Sequence, residues 1–197
     1  MLAVFFRVAF VSSDKPEKIS LSDILVEPLS EKHKSLFSGF RSFEKEFEDF
    51  LKQDALDNQE KRISKTHLWF FKPNNQLIGY ITLLTDKISL EAELKEEFRK
   101  KGINYKSLPA LKIGRLCVHD DFLRKGIGTH MLDSVAFLVH KINEFAGCRF
   151  IVIDAKRNPD KSKDSIHFYV AKGFKVYKER AKGTTPMYRD VFKLTEK

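Results

Sequence analysis

The chain has 197 residues, of which 42% are hydrophobic and 32% charged, so it can bury a core and keep a charged surface. This composition excludes an intrinsically disordered protein, and 9 Gly and 6 Pro exclude a collagen-like or low-complexity one. Lys and Arg outnumber Asp and Glu by 36 to 27, and the net charge of +9 favours partners that carry phosphate or another anion.

The excess positive charge is concentrated near the carboxyl terminus. Residues 149–197 contain 13 Lys and Arg against 6 Asp and Glu, and therefore hold +7 of the net charge. A Lys-rich surface that only keeps the protein in solution is the alternative explanation.

The two cysteines, Cys117 and Cys148, form no CxxC pair, and no His/Cys cluster has zinc spacing. We therefore expect no disulfide framework, no metal and a reducing, cytoplasmic location.

The amino-terminal segment MLAVFFRVAFV is the stretch that looks most like a targeting signal. It is too short to span a bilayer, Arg7 interrupts it, and no clear cleavage site follows. We expect no membrane insertion and interpret residues 1–17 as an N-terminal extension or edge strand. A single domain is expected over residues 18–197.

The first half of the chain predicts a strand, a helix and a β-hairpin. The strand covers Ile24–Val26, and the helix runs from an N-cap at Ser42 to Arg62 with one apolar face. Two β-rich runs, Thr66–Phe71 and Leu77–Leu84, flank a Lys-Pro-Asn-Asn turn, which is typical of a hairpin.

The second half alternates strands and helices. A charge-dense segment, 91–107, predicts an exposed helix and loop. The elements expected after it are a strand at 111–118, a helix at 128–143, a buried strand at 150–154, a helix at 165–172 ended by Gly173, and strands at 174–178 and 187–194. This order predicts an α/β (α+β) fold, a mixed central sheet with helices on both faces.

The most informative segment is LCVHDDFLRKGIGT, residues 116–129, in which a strand leads through a basic, Gly-bearing turn into the helix. Amides at a helix N-terminus are unpaired and partly positive, and glycines let the backbone approach an anion, so this turn predicts a phosphate cradle. The segment lacks the P-loop pattern and the third glycine of a Rossmann fingerprint. An ordinary strand-to-helix turn is the alternative.

A second segment, FYVAKGF at 168–174, follows the FIVID strand. The two segments, in this order and spacing, resemble the GNAT acyl-CoA N-acyltransferase superfamily over Ile24–Leu194. Within this superfamily, three segments are similar to segments of the acetyltransferase toxins of toxin–antitoxin pairs. They are Phe50–Leu56, Ser64–Thr66 and Gly114–Val118.

The resemblance implies acetyl-CoA as co-substrate and direct transfer of the acetyl group to an amine. It implies two splayed strands, with an amide near Val118 polarising the thioester carbonyl, and Tyr169 as the acid that protonates the leaving thiolate. The cofactor-binding residues it implies are Leu116, Cys117, Val118, Arg124, Lys125, Gly126, Ile127, Gly128 and Thr129.

Two positions depart from the superfamily pattern. Leu123 stands where Gln or Arg is usual, with Arg124 one residue later, and Ser162 or a nearby polar residue stands where Asn often begins the next helix. The cradle amides and glycines are kept, whereas the contact to the pantetheine arm is left open.

Other roles stay undecided at this level. Asp154, His119 and Asp120 are candidates for the general base, although we expect Asp154 to pair with Lys156 and His119 to lie in a surface loop. Arg115 either binds a substrate phosphate or pairs with a carboxylate. The aromatic Phe43 and Phe47 line an acceptor channel, form a dimer contact, or belong to the core.

The acceptor implied by the resemblance is the amino group of an aminoacyl-tRNA, with an antitoxin as a further partner and a homodimer as one assembly. The alternatives are a protein or small-molecule N-acetyltransferase and a non-catalytic acyl-CoA-binding module. A nucleic-acid-binding protein without catalysis is supported by charge alone.

Overall fold

The computed structural model describes residues 17–158, 160, 164–178 and 183–192. The expected N-terminal extension, apart from residue 17, and Ser162 lie outside the described residues. Within the described part of the chain, no helix is long and apolar enough to cross a membrane.

Seven strands form one mixed sheet. They are β1 (Ile24–Pro28), β2 (Lys65–Phe71), β3 (Gln76–Ser89), β4 (Ser107–Val118), β5 (Phe150–Lys156), β6 (Lys175–Val176) and β7 (Thr184–Asp190). Their order across the sheet is β1-β2-β3-β4-β5-β7-β6, and every neighbouring pair is antiparallel except β4 and β5.

Helices cover both faces of this sheet, as the sequence predicts. The described residues form the α-helices α1 (Lys45–Gln53), α2 (Ala55–Glu60), α3 (Ala92–Lys100), α4 (Ile127–Ile142) and α5 (Ser165–Ala171). Short 3₁₀ helices cover Leu21–Asp23, Glu31–Gly39 and Asp120–Phe122. The largest buried cluster contains side chains of α4 and α5, whereas α1–α3 pack into two other clusters.

The α4 helix crosses from β4 to the parallel strand β5. Its buried residues Ile127, Met131, Leu132, Val135 and Val139 recur at helical spacing. They pack against Ile81, Ile113 and Ile151 of the sheet, among others. Residues 119–126, which include the 3₁₀ helix Asp120–Phe122, connect the end of β4 to the start of α4.

The single helix predicted from Ser42 to Arg62 is wrong. Asp54, at φ −109°, separates α1 from α2, and the N-cap residue of α1 is Glu44. Ser42 precedes the helix, where its amide donates to Glu48 Oε1 at 2.9 Å and its hydroxyl accepts from the Glu44 amide at 3.3 Å. These two hydrogen bonds connect Ser42 to the N-cap residue Glu44 and to Glu48 in the first turn of α1.

Several strand ends also differ from the prediction. β3 continues past Leu84 to Ser89, because its polar residues 85–87 pair with residues 109–111 of β4. β6 is limited to two residues, and β7 begins at Thr184, before the predicted start at Met187. The predicted end of that strand, Leu194, is outside the described residues.

Candidate functional site

The two parallel strands at the centre of the sheet separate towards their carboxyl ends. β4 and β5 pair only from Ala110–Phe150 to Ile113–Ile153. Both strands continue further, to Val118 and Lys156. We call the unpaired parts, residues 114–118 and 154–156, the fork, and it confirms the predicted splayed strand pair.

A β-bulge explains where the fork starts. Thr82 of β3 pairs with Arg115 and Leu83 pairs with Ile113, so Gly114 is an extra residue in β4. Such a bulge bends its strand, which here leaves β5 directly after the last paired residue. A lone Gly inside a strand pattern is a recognised sequence signal for a bulge, and it was the available clue to this feature.

A cleft of about 1410 Å³ passes through the fork and opens on both faces of the sheet. On one side it is lined by the turn before α4 and by α5, and we call this opening the α4 mouth. On the other side it is lined by α1 and by the loop that follows α2, and we call this opening the α1 mouth. Lining residues from each mouth include Gly126, Gly128 and Phe168 for the first and Phe47, Phe50 and Ile63 for the second.

The turn at the α4 mouth exposes a row of backbone amides. Arg124 (φ 63°) and Gly126 (φ 90°) are both left-handed, and Gly126 is the N-cap of α4. Within the described residues, the amides of 124–128 donate to no protein acceptor. These amides and the positive end of the helix dipole suit a bound anion.

Two residues of the same turn have other contacts. The amide of Thr129 already donates to the Gly126 carbonyl at 3.0 Å. A β-carbon on Gly128 would lie 3.2 Å from Cζ of Phe168, closer than most side-chain contacts, so the glycine allows α4 and α5 to approach closely. Gly126 and Gly128 therefore act differently, one by its backbone conformation and the other by its missing side chain.

A segment before β1 is bonded to this turn. The Ile19 amide donates to the Lys125 carbonyl at 3.0 Å, and His130 Nε2 of α4 donates to the Ile19 carbonyl at 3.1 Å. The neighbouring Lys18 lines the cleft beside Arg124. Sequence reasoning missed this contact, because more than 100 residues separate its partners.

The end of β4 directs its residues alternately to the two mouths. Leu116 and Val118 pack with the α4 cluster, whereas Cys117 packs on the opposite face with Tyr80 and Leu51. The His119 amide donates to Ile78 of β3 at 2.8 Å, so strand alternation turns the amides of Val118 and Leu116 away from β3 and into the fork.

Burial shapes the chemistry of Cys117. Removal of the thiol from water raises its pKa to about 12, so the side chain stays a thiol at neutral pH. A buried thiol of this kind is a poor nucleophile.

Tyr169 of α5 lines the cleft from the α4 side and is 5% exposed. Its ring packs edge-on against Phe168 and Phe174, with ring centroids 5.2 Å and 5.5 Å apart. Burial raises the pKa of its hydroxyl well above 10, and nearby Cys117 adds to this effect. The hydroxyl therefore remains a proton donor at every physiological pH.

The candidates for a general base all have structural partners. His119 is buried, and the prediction that it lies in a surface loop is wrong. Its Nε2 donates to the Gly39 carbonyl at 3.3 Å, and its Nδ1 accepts from the backbone amide of Asp121 at 3.2 Å. Asp120 Oδ1 accepts from the Phe43 amide at 2.9 Å. Asp154 pairs with Lys112 at 2.7 Å rather than with Lys156, whose Nζ is bonded instead to Glu44 and Glu46.

Lys156 makes a different ion pair, across the open end of the fork. Its Nζ lies 2.7 Å from Glu44 and 3.0 Å from Glu46 at the start of α1, and Asn158 donates to the other Glu44 oxygen at 3.0 Å. Burial alone would lower the pKa of Lys156, but the hydrogen bonds that its ammonium donates to the two carboxylates outweigh burial and raise the pKa. This bridge between α1 and β5 was not predicted.

At the α1 mouth, Arg115 is exposed and its guanidinium lies 5.0 Å from the ring centroid of Phe50. It forms no ion pair with a carboxylate of the described residues, so the expected alternative of a carboxylate partner is wrong there. Phe43 and Phe47 also line the cleft, with Phe43 exposed and Phe47 half-buried.

The structure brings all the predicted cofactor-binding residues except Lys125 into the wall of one cleft, together with Tyr169. Lys125 is directed to one side, with its Nζ 4.9 Å from the ring centroid of Phe122. No group of three or more His, Cys, Asp and Glu side chains is placed to hold a metal ion within the described residues.

Residues 64–176 match the family described as the acetyltransferase (GNAT) domain. Among solved structures, the toxin AtaT complexed with acetyl-methionyl-tRNAfMet is similar at a TM-score of 0.68 and 18% identity, over 83% of this chain and 94% of that one. A tyrosine-to-phenylalanine variant of KacT has a TM-score of 0.68 and 19% identity, over 83% and 94%. A further bacterial toxin has a TM-score of 0.69 and 15% identity, over 85% and 90%. At these identities the likeness shows the fold.

Proposed function

The chain belongs to the GNAT acetyltransferase family, and from this membership we propose that it transfers the acetyl group of acetyl-CoA to an amine on a polyanionic acceptor. The first candidate acceptor is the amino group of an aminoacyl-tRNA. One observation carries the proposal: the fork between β4 and β5 opens beside a turn whose amides have no protein acceptor among the described residues.

The α4 mouth fits the phosphate end of acetyl-CoA. Residues 124 and 126–128, whose amides have no protein acceptor among the described residues, line a cleft that Lys18 also lines. The pantetheine arm would follow β4 into the fork, past Leu116 and Val118. When bound, acetyl-CoA would supply an acetyl thioester in the fork.

The residues around the thioester have different roles in the proposed transfer. The Val118 amide, directed into the fork, is placed to donate to an oxyanion on the reacting carbonyl. As the amine nitrogen bonds to the acetyl carbon and the C–S bond breaks, Tyr169 gives the proton that its raised pKa keeps in place to the departing sulfur. The proton that the amine loses returns through solvent to the tyrosine oxygen. Cys117 takes no covalent part, because its thiol is buried and protonated.

A nucleic-acid acceptor is favoured by the charge and by the similar structures. Residues 149–197 hold most of the net positive charge, and AtaT has been seen with acetyl-methionyl-tRNAfMet, with acetyl-CoA and with its antitoxin AtaR. By the same comparison we propose an antitoxin partner for this chain, and from its two free cysteines we propose a cytoplasmic location. A protein or small-molecule amine is the second candidate acceptor, since the GNAT family match by itself covers any amine.

The test is transfer of label from [¹⁴C]acetyl-CoA to a panel of aminoacyl-tRNAs, peptides and polyamines. We expect label on the α-amino group of at least one aminoacyl-tRNA, in a form that alkaline hydrolysis releases as an N-acetyl amino acid. Label only on peptides or polyamines would move the assignment to the second acceptor. Binding of acetyl-CoA with no transfer to any amine would indicate a non-catalytic module.

A further inference from the structure

We propose that Arg115, held on the ring of Phe50, binds a phosphate next to the nucleotide that carries the acceptor amine. This inference rests on the proposed function, because it assigns the part of the site that would select an RNA acceptor.

The guanidinium of Arg115 is the outer layer of a stack of three groups. It lies 5.0 Å from the centroid of Phe50, and the Phe50 ring in turn stacks on Tyr80 with centroids 6.2 Å apart and planes at 19°. Tyr80 is fully buried, and its hydroxyl donates to the Phe47 carbonyl at 2.7 Å. The bottom of the stack is therefore fixed to both β3 and α1.

One edge of the guanidinium is also held in place. Nη1 of Arg115 donates to the Gly114 carbonyl at 2.7 Å, in the bulge that starts the fork. The remaining N–H groups have no carboxylate partner among the described residues. An arginine held flat in this way loses little side-chain freedom when it forms two parallel bonds to a phosphate.

The other cations of the α1 mouth are already neutralised. Lys112 pairs with Asp154 at 2.7 Å, and Lys156 pairs with Glu44 and Glu46. Arg115 is consequently a cation of the described α1 mouth that is available to an incoming anion.

That anion does not belong to acetyl-CoA. Arg115 faces the same side of the sheet as Cys117, whereas the amides of residues 124–128 lie at the α4 mouth on the opposite side. A phosphate at Arg115 must therefore come from the acceptor.

The surroundings favour a nucleotide over a phosphorylated protein. Phe47 and Ile63 line the α1 mouth beside Arg115, whose guanidinium covers the outer face of Phe50 and is itself the flat outer surface of the stack. Flat apolar and aromatic side chains beside an arginine are the usual platform for unpaired bases, which stack on them without regard to sequence. A single-stranded RNA end with an apolar aminoacyl group offers both the bases and the phosphate.

The experiment measures the affinity of a fluorescent oligoribonucleotide ending in CCA by anisotropy, with coenzyme A present at saturation. Arg115→Met should weaken binding by about 10-fold and lower the slope of log affinity against log salt by about 1, as the loss of one phosphate contact predicts. Arg115→Lys should keep the salt slope but lose part of the affinity. The matched control, Lys87→Met, removes an exposed cation of β3 outside the cleft and should change affinity by less than about 2-fold.

Two outcomes would overturn the inference: a wild-type protein that does not bind the oligonucleotide, or an Arg115→Met variant with unchanged affinity and salt slope. Either result leaves acetyl transfer to an amine intact as a separate question. Conversely, loss of RNA binding in Arg115→Met together with no acetyl transfer by the wild type would support the phosphate site and reject the proposed enzyme. Unchanged coenzyme A affinity in each variant verifies folding.

Discussion

Gly128 of α4 and Phe168 of α5 are so close that a β-carbon on the glycine would lie 3.2 Å from Cζ of the phenylalanine. Gly128→Val should therefore lower the free energy of unfolding by about 1–3 kcal/mol, because overpacking displaces one helix from the other. Urea denaturation measures this loss.

The partner residue provides the control for that packing. Phe168→Leu shortens the side chain that the substitution Gly128→Val would crowd. The double variant should therefore be more stable than the sum of the two single losses in free energy of unfolding predicts. Strict additivity would mean that the two residues are not coupled.

A second prediction concerns the backbone of the turn. Gly126→Ala places an L-residue at φ 90°, which costs about 1–2 kcal/mol, and it moves the amides that face the α4 mouth. We expect about 10-fold weaker binding of acetyl-CoA by isothermal titration calorimetry. Gly102→Ala, at φ 76° in a loop outside the cleft, should lose similar stability but no affinity. Equal affinities for both variants would remove the turn from the cofactor site.

Tyr169→Phe tests the proton donor. It should lower kcat by about 10²–10⁴-fold and leave the Kd of acetyl-CoA within about 2-fold of wild type, since the ring packing is kept. Tyr177→Phe is the matched control, because the Tyr177 hydroxyl donates to the Ser89 carbonyl, away from the cleft, at 3.0 Å. Full activity in Tyr169→Phe would assign protonation of the thiolate to another group.

The pH dependence of stability should report the burial of Cys117. Its pKa is near 9 in the unfolded chain and about 12 in the folded protein, so the folded state resists ionisation of the thiol. The stabilisation is complete below pH 9 and is lost as the pH rises towards 12, at up to about 1.4 kcal/mol per pH unit. Cys117→Val should flatten the decline between pH 9 and 10, measured by urea denaturation. An identical decline in the variant would contradict this assignment.

Local patterns in the sequence predict the parts of this fold that depend on near neighbours. The apolar period of α4, the hairpin turn between β2 and β3, and the glycine that ends α5 are confirmed because each is decided within a few residues. The break at Asp54 and the continuation of β3 through polar residues depend instead on what packs against them, and local patterns do not contain that information.

Predictions of the site divide in the same way, between local motifs and contacts of distant residues. The turn at 123–128 is predicted from a strand, a turn and a helix that follow one another in the chain, and Tyr169 from the family resemblance; their roles stay predictions. The Glu44–Lys156 bridge joins residues 112 positions apart, and the burial of His119 depends on the Gly39 carbonyl 80 positions away. Nothing in the composition of either segment predicts such contacts.

The bridge between Glu44 and Lys156 also closes a ring around the cleft. The ring runs along β4 from Ile113, through the Asp120–Phe43 hydrogen bond to Glu44, across to Lys156, and back along β5 to Ile153. A molecule inside a closed ring can enter and leave only lengthwise, and two molecules that meet there must arrive from opposite openings. This arrangement suits a ternary complex, in which both substrates are bound at once. Neither substrate then has to leave before the other can enter.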